Sequence, residues 1–176
     1  MENTTLPNLS LGELNKTPLG DFRLIASDLG LVALEWAKDQ PRLFSYLQKI
    51  KRSAVPDQKN IATYADQLSE YLSGKRTTFT IPIDWTFLTP FQRKTLQAVF
   101  RIPYGEIRTY AEIAKEIDHP LAFRAVGAAN GKNPMAIFIP CHRVLGTDGK
   151  LHGYGGGNGL PTKKWLLKLE GVNLTF

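Results

Sequence analysis

The strongest local signal in the chain is a helix start at residue 89. Thr89-Pro90-Phe91-Gln92 offers a hydroxyl at the N-cap, a proline at the first helical position and a glutamine at the third, which together form a capping box. The helix that this signal predicts runs to about Arg101 and ends before Pro103-Tyr104-Gly105. We therefore expect one structural unit to end near residue 88 and another to begin at residue 89.

The charge of the chain changes at the same point. Residues 1–88 carry ten Lys and Arg and ten Asp and Glu, whereas residues 89–176 carry twelve and six, so the whole formal charge of +6 lies in the second half. A basic half beside a neutral half is typical of a protein with an anionic partner, most commonly nucleic acid. A merely basic surface would give the same count, so charge alone leaves both interpretations open.

Residues 1–16 are polar and lack periodicity, so we expect them to form a poorly ordered tail. Residues 17–88 are expected to form an α/β domain. Alternating or helical spacing of apolar residues identifies the elements of the domain. The expected elements are strands at 21–27, 31–37 and 79–83 and helices at 42–51 and 61–73, with a loop at 51–59.

The second half, residues 89–176, is expected to be mostly helical. Short helices at 109–117 and 121–130 are joined by the turn Asp118-His119-Pro120, which predicts a helix-turn-helix. A last helix begins near Pro161 and ends at Gly171.

Cys141 is the only cysteine and follows Ile137-Phe138-Ile139-Pro140, whose apolar pattern predicts a short buried strand. A lone cysteine is more often a small core residue than a nucleophile. Here His142 and Arg143 follow it, and a base or a positive charge is what a thiol with an ordinary pKa of about 8.5 needs to react near neutral pH. Neighbouring side chains of a strand point to opposite faces, so contact between the thiol and His142 requires a turn or a bridging water.

One cysteine excludes an intramolecular disulfide and a multi-cysteine zinc site, and the three histidines lack ligand spacing. We therefore expect no metal and no other cofactor. No apolar run approaches the roughly 20 residues that span a bilayer, and the N-terminus does not have the pattern of a signal peptide. The expected compartment is the cytoplasm, or the nucleus if the source is a eukaryote.

Ile139-Pro140-Cys141-His142-Arg143-Val144 resembles the active-site signature of the O6-alkylguanine-DNA alkyltransferases, also called methylated-DNA–protein-cysteine methyltransferases. The resemblance covers about residues 89–171, with several motifs in the right order and spacing. These are Thr89-Pro90-Phe91-Gln92, Arg124-Ala125-Val126-Gly127, Asn133-Pro134 and Trp165-Leu166-Leu167, and weaker similarity reaches back to Thr17-Pro18-Leu19-Gly20.

The resemblance implies a ribonuclease-H-like sheet-and-helix domain followed by a mostly α domain with a helix-turn-helix. It also implies a monomeric DNA-repair enzyme that flips O6-alkylguanine, and O4-alkylthymine, out of double-stranded DNA. The alkyl group would pass irreversibly to Cys141, once per molecule, so the enzyme would be a single-turnover cysteine S-methyltransferase without a membrane partner.

The same resemblance assigns catalytic roles to five residues. Cys141 would accept the alkyl group, His142 would relay the thiol proton through a water, and Glu170 would orient His142. Tyr110 would donate a hydrogen bond to the departing guanine, and Asn133 would be the hinge between the recognition helix and the cysteine segment. The residues alone leave a core tyrosine, a helix cap and an ordinary turn residue open as the roles of Tyr110, Glu170 and Asn133.

Arg124 would be the finger that enters the duplex and fills the space of the flipped nucleotide, although a simple phosphate contact is also open. The other residues expected to contact DNA through the minor groove are Thr109, Tyr110, Ala125, Gly127 and Arg143. The residues expected to line the substrate pocket are Val144, Tyr154, Gly155 and Gly156, with the Val144 carbonyl reading the guanine amine.

The chain departs from the family pattern at two places. Phe123 stands where small residues are usual in the recognition helix. The loop 153–159 contains five glycines, with Gly155 where serine or alanine is common. Missing side chains predict a less crowded pocket that accepts bulky adducts.

Three other functions share parts of this pattern. Non-enzymatic alkyltransferase-like proteins carry tryptophan at the cysteine position, so Cys141 argues against that class. A helix-turn-helix regulator that senses alkylation would need a further cysteine-bearing domain, which the chain lacks. A thiol hydrolase would turn over repeatedly on an ester or a peptide.

Overall fold

The computed structural model describes residues 8–173 of the chain. A four-stranded sheet in the order β3-β2-β1-β4 forms the first half, with β1 antiparallel to β2, β2 antiparallel to β3, and β4 parallel to β1. The elements of this half are β1 (Leu9–Thr17), β2 (Gly20–Ser27), β3 (Gly30–Trp36), α1 (Gln40–Lys49), β4 (Ala54–Pro56) and α2 (Gln58–Leu72).

Alternation along β2 distributes its apolar side chains between the two faces of the sheet. Phe22 and Leu24 belong to the apolar cluster that includes α2, whereas Ile25 belongs to the cluster beneath α1. Each face is therefore covered by one helix, as in the predicted α/β domain.

Two expectations for this half are wrong. Residues 9–16, expected to be a poorly ordered tail, form most of β1, which is stabilised by pairing on both of its edges. Asn8 precedes β1 without regular structure, and residues 1–7 of that tail lie outside the described part. Residues 79–83 form no strand beyond a bridge between Ile83 and Leu31, because Pro82 has no N–H with which to continue a ladder.

The predicted loop 51–59 also contains β4 and the start of α2. Asp57 caps α2 by accepting a hydrogen bond from the Asn60 backbone N–H at 3.2 Å.

The second half is helical, as predicted. Its elements are α3 (Pro90–Phe100), β5 (Arg108–Thr109), α4 (Tyr110–Glu116), α5 (Phe123–Gly131), β6 (Val144–Leu145) and α6 (Leu160–Leu169), and β5 is parallel to β6. The capping box at Thr89 forms, and a second one forms between Thr109 and Glu112. The helices α4 and α5 are the two members of the predicted helix-turn-helix.

One apolar cluster joins the two halves of the molecule. It runs from Phe22 and Leu68 through Leu96 to Phe138 and Leu166. The backbone N–H of Leu34 in β3 also donates to the carbonyl of Pro134 at 2.8 Å. The sheet therefore supports the segment that leads to Cys141. Within residues 8–173, no helix has the length and apolar character needed to cross a membrane.

Candidate active site

Cys141 lies in a 3₁₀ turn, Cys141–Arg143, and not at the end of a strand. The expected strand at 137–139 is instead a buried turn, in which the Ile139 N–H donates to the Met135 carbonyl at 2.9 Å. Ile137 has a φ of +74°, a conformation that a β-branched residue rarely adopts. Successive side chains of a turn need not point to opposite faces. The strand geometry that would separate Cys141 from His142 therefore does not apply here.

Two asparagines hold this turn. The side-chain amide of Asn133 donates to the Ile139 carbonyl at 2.9 Å and accepts from the Met135 N–H at 3.0 Å. Asn130, at the end of α5, donates to the Cys141 carbonyl at 3.2 Å. Both side chains are buried, and Asn130 connects α5 directly to the cysteine turn. The position of Asn133 fits the expected hinge, whereas sequence reasoning missed Asn130.

Glu170 accepts hydrogen bonds from several buried groups. The His142 Nε2 lies 2.8 Å from the carboxylate oxygen Oε1. Arg143 donates to both oxygens through Nε and Nη2, at 2.8 to 3.1 Å. The Gly105 N–H donates to Oε2 at 3.2 Å. The predicted pairing of Glu170 with His142 is therefore present, inside a larger network.

The prediction that Arg143 contacts DNA is wrong. Its side chain is buried, its Nη1 donates to the Ile102 carbonyl at 2.5 Å, and its remaining donors face Glu170. A buried guanidinium must be paired, and here the carboxylate of Glu170 pairs it. Arg143 therefore stabilises the buried carboxylate of Glu170, and its own side chain is almost entirely shielded from solvent.

Tyr71 joins the same network from the N-terminal half. Its hydroxyl donates to Glu170 Oε1 and lies 3.4 Å from His142 Nε2. Burial and the neighbouring Glu170 raise the pKa of Tyr71 far above its ordinary value, so the phenol stays protonated. No local signal in the sequence indicated this residue, because its partners lie 71 and 99 residues away.

The network determines which nitrogen of His142 carries the proton. Burial lowers the pKa of His142, so the ring is neutral at pH 7. Burial alone would raise the pKa of Glu170, but hydrogen bonds from His142 and Arg143 outweigh it and lower the pKa to about 2. An ionised carboxylate only accepts, so Nε2 must donate to it. His142 Nδ1 is then an acceptor, and it has no partner among the described residues.

The thiol of Cys141 is buried, and burial raises its pKa. The side chain of Asn133 and the charge of Lys163 oppose this shift without reversing it. The resting thiol is therefore protonated at pH 7, and a base must remove its proton when it reacts.

Lys163 is a buried cation that sequence reasoning missed. Its Nζ donates to the carbonyl of Val144 at 2.6 Å and to that of His152 at 3.3 Å. Burial lowers the pKa of Lys163 to about 8, and the neighbouring Cys141 partly opposes this. The ammonium thus fixes the chain after the cysteine turn and places positive charge near the thiol.

Cys141 lies at a pocket of about 480 Å³. Tyr110, Gly127 and Asn130 line it from the helix-turn-helix, and His152 and residues 153–155 of the glycine loop line it from the other side. The hydroxyl of Tyr154 is buried beside Cys141, and burial raises its pKa well above the ordinary value. Burial also raises the pKa of Tyr110, so both phenols remain hydrogen-bond donors at neutral pH.

Two of the residues expected in the pocket lie elsewhere. Val144 is fully buried behind the cysteine turn, with its carbonyl bound by Lys163. Gly156 packs on Trp36 of the N-terminal half, where an added Cβ would lie 2.5 Å from the indole. Tyr154 and Gly155 line the cavity at Cys141.

The remaining residues predicted to contact DNA lie on the helix-turn-helix. Arg124 and Ala125 are exposed on the first turn of α5, and Gly127 lies beside the Tyr110 ring. Thr109 is half-buried, and its side chain caps α4.

Comparisons with known proteins agree on one family. Residues 11–85 match the family model of the 6-O-methylguanine DNA methyltransferase ribonuclease-like domain, and residues 90–172 match that of the DNA binding domain of the same enzyme. A methylated-DNA–protein-cysteine methyltransferase of Methanosarcina barkeri is 43% identical, over 92% of this chain and 98% of its own. A constitutive methylated-DNA–protein-cysteine methyltransferase of Bacillus subtilis is 37% identical, over 90% and 93%.

The fold agrees with these matches. A crystal structure of the Mycobacterium tuberculosis OGT in complex with DNA superimposes with a TM-score of 0.77 at 38% identity, covering 93% of this chain and 92% of that one. The fold, the site and the relatives define a DNA-repair enzyme that transfers an alkyl group to a cysteine. The chain belongs to the methylated-DNA–protein-cysteine methyltransferase family.

Proposed function

We propose that Cys141 accepts the alkyl group of O6-alkylguanine, and of O4-alkylthymine, once per protein molecule. One observation carries the proposal: the only cysteine of the chain lies at a pocket, and the next residue has an imidazole nitrogen without a partner among residues 8–173 and an ionised carboxylate bound to its other nitrogen. This is the order of nucleophile, base and orienting group that activates a neutral nucleophile.

The transfer balances without a metal or a cofactor. His142 Nδ1 takes the thiol proton through one water while Glu170 stabilises the resulting imidazolium. Cys141 Sγ attacks the alkyl carbon, the bond from that carbon to O6 breaks, and its electron pair passes to the guanine. The Tyr110 hydroxyl donates to the departing base, and the proton taken from the thiol finally neutralises it. The thioether has no easy leaving group, so the reaction ends there.

We infer that the substrate base reaches the pocket by leaving the DNA stack. A buried thiol cannot attack in line a carbon held inside a duplex, so the nucleotide must flip. The small residues Ala125 and Gly127 on α5 suit close approach to a minor groove, and Arg124 suits the space left by the flipped nucleotide. Contacts of this kind are largely independent of sequence, as damage repair requires.

We place the structural domain at 17–88, with β1 added to it, and the DNA-binding and transfer domain at 89–176. The protein acts as a monomer in the cytoplasm, or in the nucleus of a eukaryote, where a reducing environment preserves a free thiol.

The test separates binding from chemistry. The wild-type protein and Cys141→Ala are incubated with a duplex that contains one O6-methylguanine, and the modified base remaining in the DNA is quantified. The variant should bind the duplex with similar affinity, weakening steeply with salt, and should remove no methyl group. Removal of the methyl group by Cys141→Ala would reject the proposal.

A further inference from the structure

Two large apolar side chains are exposed at the start of α5, next to the proposed finger Arg124. Leu121 is 91% exposed and Phe123, the first residue of the helix, is 45% exposed. Single exposed apolar residues are common on protein surfaces. Phe123 differs from such residues because its exposed ring lies beside the residue proposed to enter DNA.

The ring of Phe123 lies on the same face as the entrance to the acceptor pocket. It lines a neighbouring cavity of about 420 Å³, and the two cavities share Tyr110 and His152. A base that enters the acceptor pocket past Tyr110 and His152 would therefore pass close to this ring.

Phe123 also contacts the finger residue. The guanidinium carbon of Arg124 lies 5.8 Å from the centre of the Phe123 ring, within the range of a cation–π contact. The first turn of α5 contains no acidic residue, so nothing on it repels phosphates. A partner that offers both negative charge and flat apolar faces matches this pair, and DNA bases and phosphates have those properties.

We propose that Phe123 is a wedge that stacks on the base next to the lesion when Arg124 enters the duplex. This inference rests on the proposed function, in which α5 lies in the minor groove. Apolar wedges unstack base steps in other minor-groove proteins, and aromatic rings stack on every base alike. The wedge therefore assists flipping without adding sequence preference.

The test compares three substrates under single-turnover conditions: O6-methylguanine in a duplex, the same strand alone, and free O6-benzylguanine. Phe123→Ala should slow transfer from the duplex by about tenfold or more, while the other two rates stay within about twofold. Phe123→Trp should keep the duplex rate. Phe44→Ala, which truncates another exposed phenylalanine on α1, is the matched control and should change none of the rates.

A second comparison tests whether Phe123 acts as a wedge itself or only holds the side chain of Arg124 in place. If the ring only held the guanidinium, Phe123→Ala would cost nothing further in an Arg124→Ala protein. If Phe123 is a wedge, Phe123→Ala should slow transfer from the duplex further in the Arg124→Ala protein. In a second test, 2-aminopurine is placed beside the lesion and the duplex is bound to Cys141→Ala. The fluorescence of the 2-aminopurine should be lower when Phe123→Ala is added to that protein.

Equal losses on duplex and single strand, no loss beyond that of Phe44→Ala, or no added loss in the Arg124→Ala protein would overturn the wedge. A wild-type protein that takes no methyl group from the duplex would instead overturn the proposed function itself.

Discussion

At the scale of single residues, the site depends on how one carboxylate is shared. Glu170 accepts from His142 and Arg143 of the cysteine turn and from Tyr71 of α2. The carboxylate both fixes the imidazole and neutralises a buried guanidinium. Its loss should therefore affect stability as well as catalysis.

Glu170→Gln should destabilise the protein by about 3–5 kcal/mol at pH 7, because it leaves Arg143 buried without a counter-charge. Urea denaturation measures the change in the free energy of unfolding. Glu70→Gln breaks the solvent-exposed ion pair with Arg76 and should cost less than about 1 kcal/mol. Similar losses in the two variants would contradict the role given to Glu170.

The same carboxylate predicts a dependence of stability on pH. The pKa of Glu170 falls from its ordinary 4.5 to about 2 in the folded protein, so its contribution is complete above about pH 4.5 and is lost as the pH falls towards 2. The difference in unfolding free energy between the wild type and Glu170→Gln should shrink over that range. A difference that stays constant down to pH 2 would show that the carboxylate is not stabilised in the fold.

The protonation state of His142 should determine how the reaction rate depends on pH. Burial lowers the pKa of this imidazole, so the relay should hold the rate of Cys141 alkylation nearly constant from pH 8 down to at least 6.5. His142→Ala should lose about 100-fold or more at pH 7. Its remaining rate should climb about tenfold per pH unit, because direct ionisation of a thiol with a raised pKa then limits it.

The rate is measured with free O6-benzylguanine, which needs no base flipping. His119→Ala, which changes an exposed histidine at the turn between α4 and α5, is the matched control and should leave the profile unchanged. A flat profile in His142→Ala would remove the histidine from the relay.

At the scale of elements, the glycine loop 153–159 is held by the N-terminal half. Arg42 donates to the Gly155 carbonyl, Lys38 Nζ donates to Asn158 at 2.5 Å, and Gly156 packs on Trp36. Gly156 is therefore explained by the close approach of its backbone to Trp36. The need for space around a bulky adduct explains this glycine less well. The sheet domain shapes one wall of the pocket.

Gly156→Ala should therefore loosen the loop and slow transfer, since its Cβ would meet a tryptophan that is only 2% exposed. Overpacking of this kind costs about 1–3 kcal/mol. Urea denaturation and the rate with O6-benzylguanine measure both effects. Trp36→Phe should relieve part of the loss in the double variant, and strictly additive losses would contradict the proposed packing.

Local signals in the sequence predicted the elements that depend on neighbouring residues. The capping box at Thr89, the two strands β2 and β3 and the helix-turn-helix all follow from residues within a few positions. The cysteine turn did not, because an apolar run such as 137–139 has the same pattern in a strand and in a buried turn.

Long-range contacts explain the other errors. Arg143 was expected to contact DNA, but its burial depends on a carboxylate 27 residues away. Tyr71 and Lys163 were missed for the same reason, since only the tertiary fold brings them to the site. The resemblance to a family pointed to Glu170 and Asn133, which composition and spacing alone would not have distinguished.

At the scale of the whole molecule, the two halves form one reactive unit. Tyr71 from α2 contacts His142 and Glu170, Trp36 and Arg42 hold the glycine loop, and a continuous apolar cluster joins the sheet to the helices. We therefore expect the intact chain to be the active form, with a single thiol that is used once.

The most direct test of this account is the mass of the intact protein after incubation with an excess of duplex containing O6-methylguanine, followed by peptide mapping. We expect the gain of one methyl group per protein molecule, located on the peptide that contains Cys141, after which the remaining substrate persists. Continued loss of O6-methylguanine beyond one equivalent, or a methyl group on any other peptide, would contradict it.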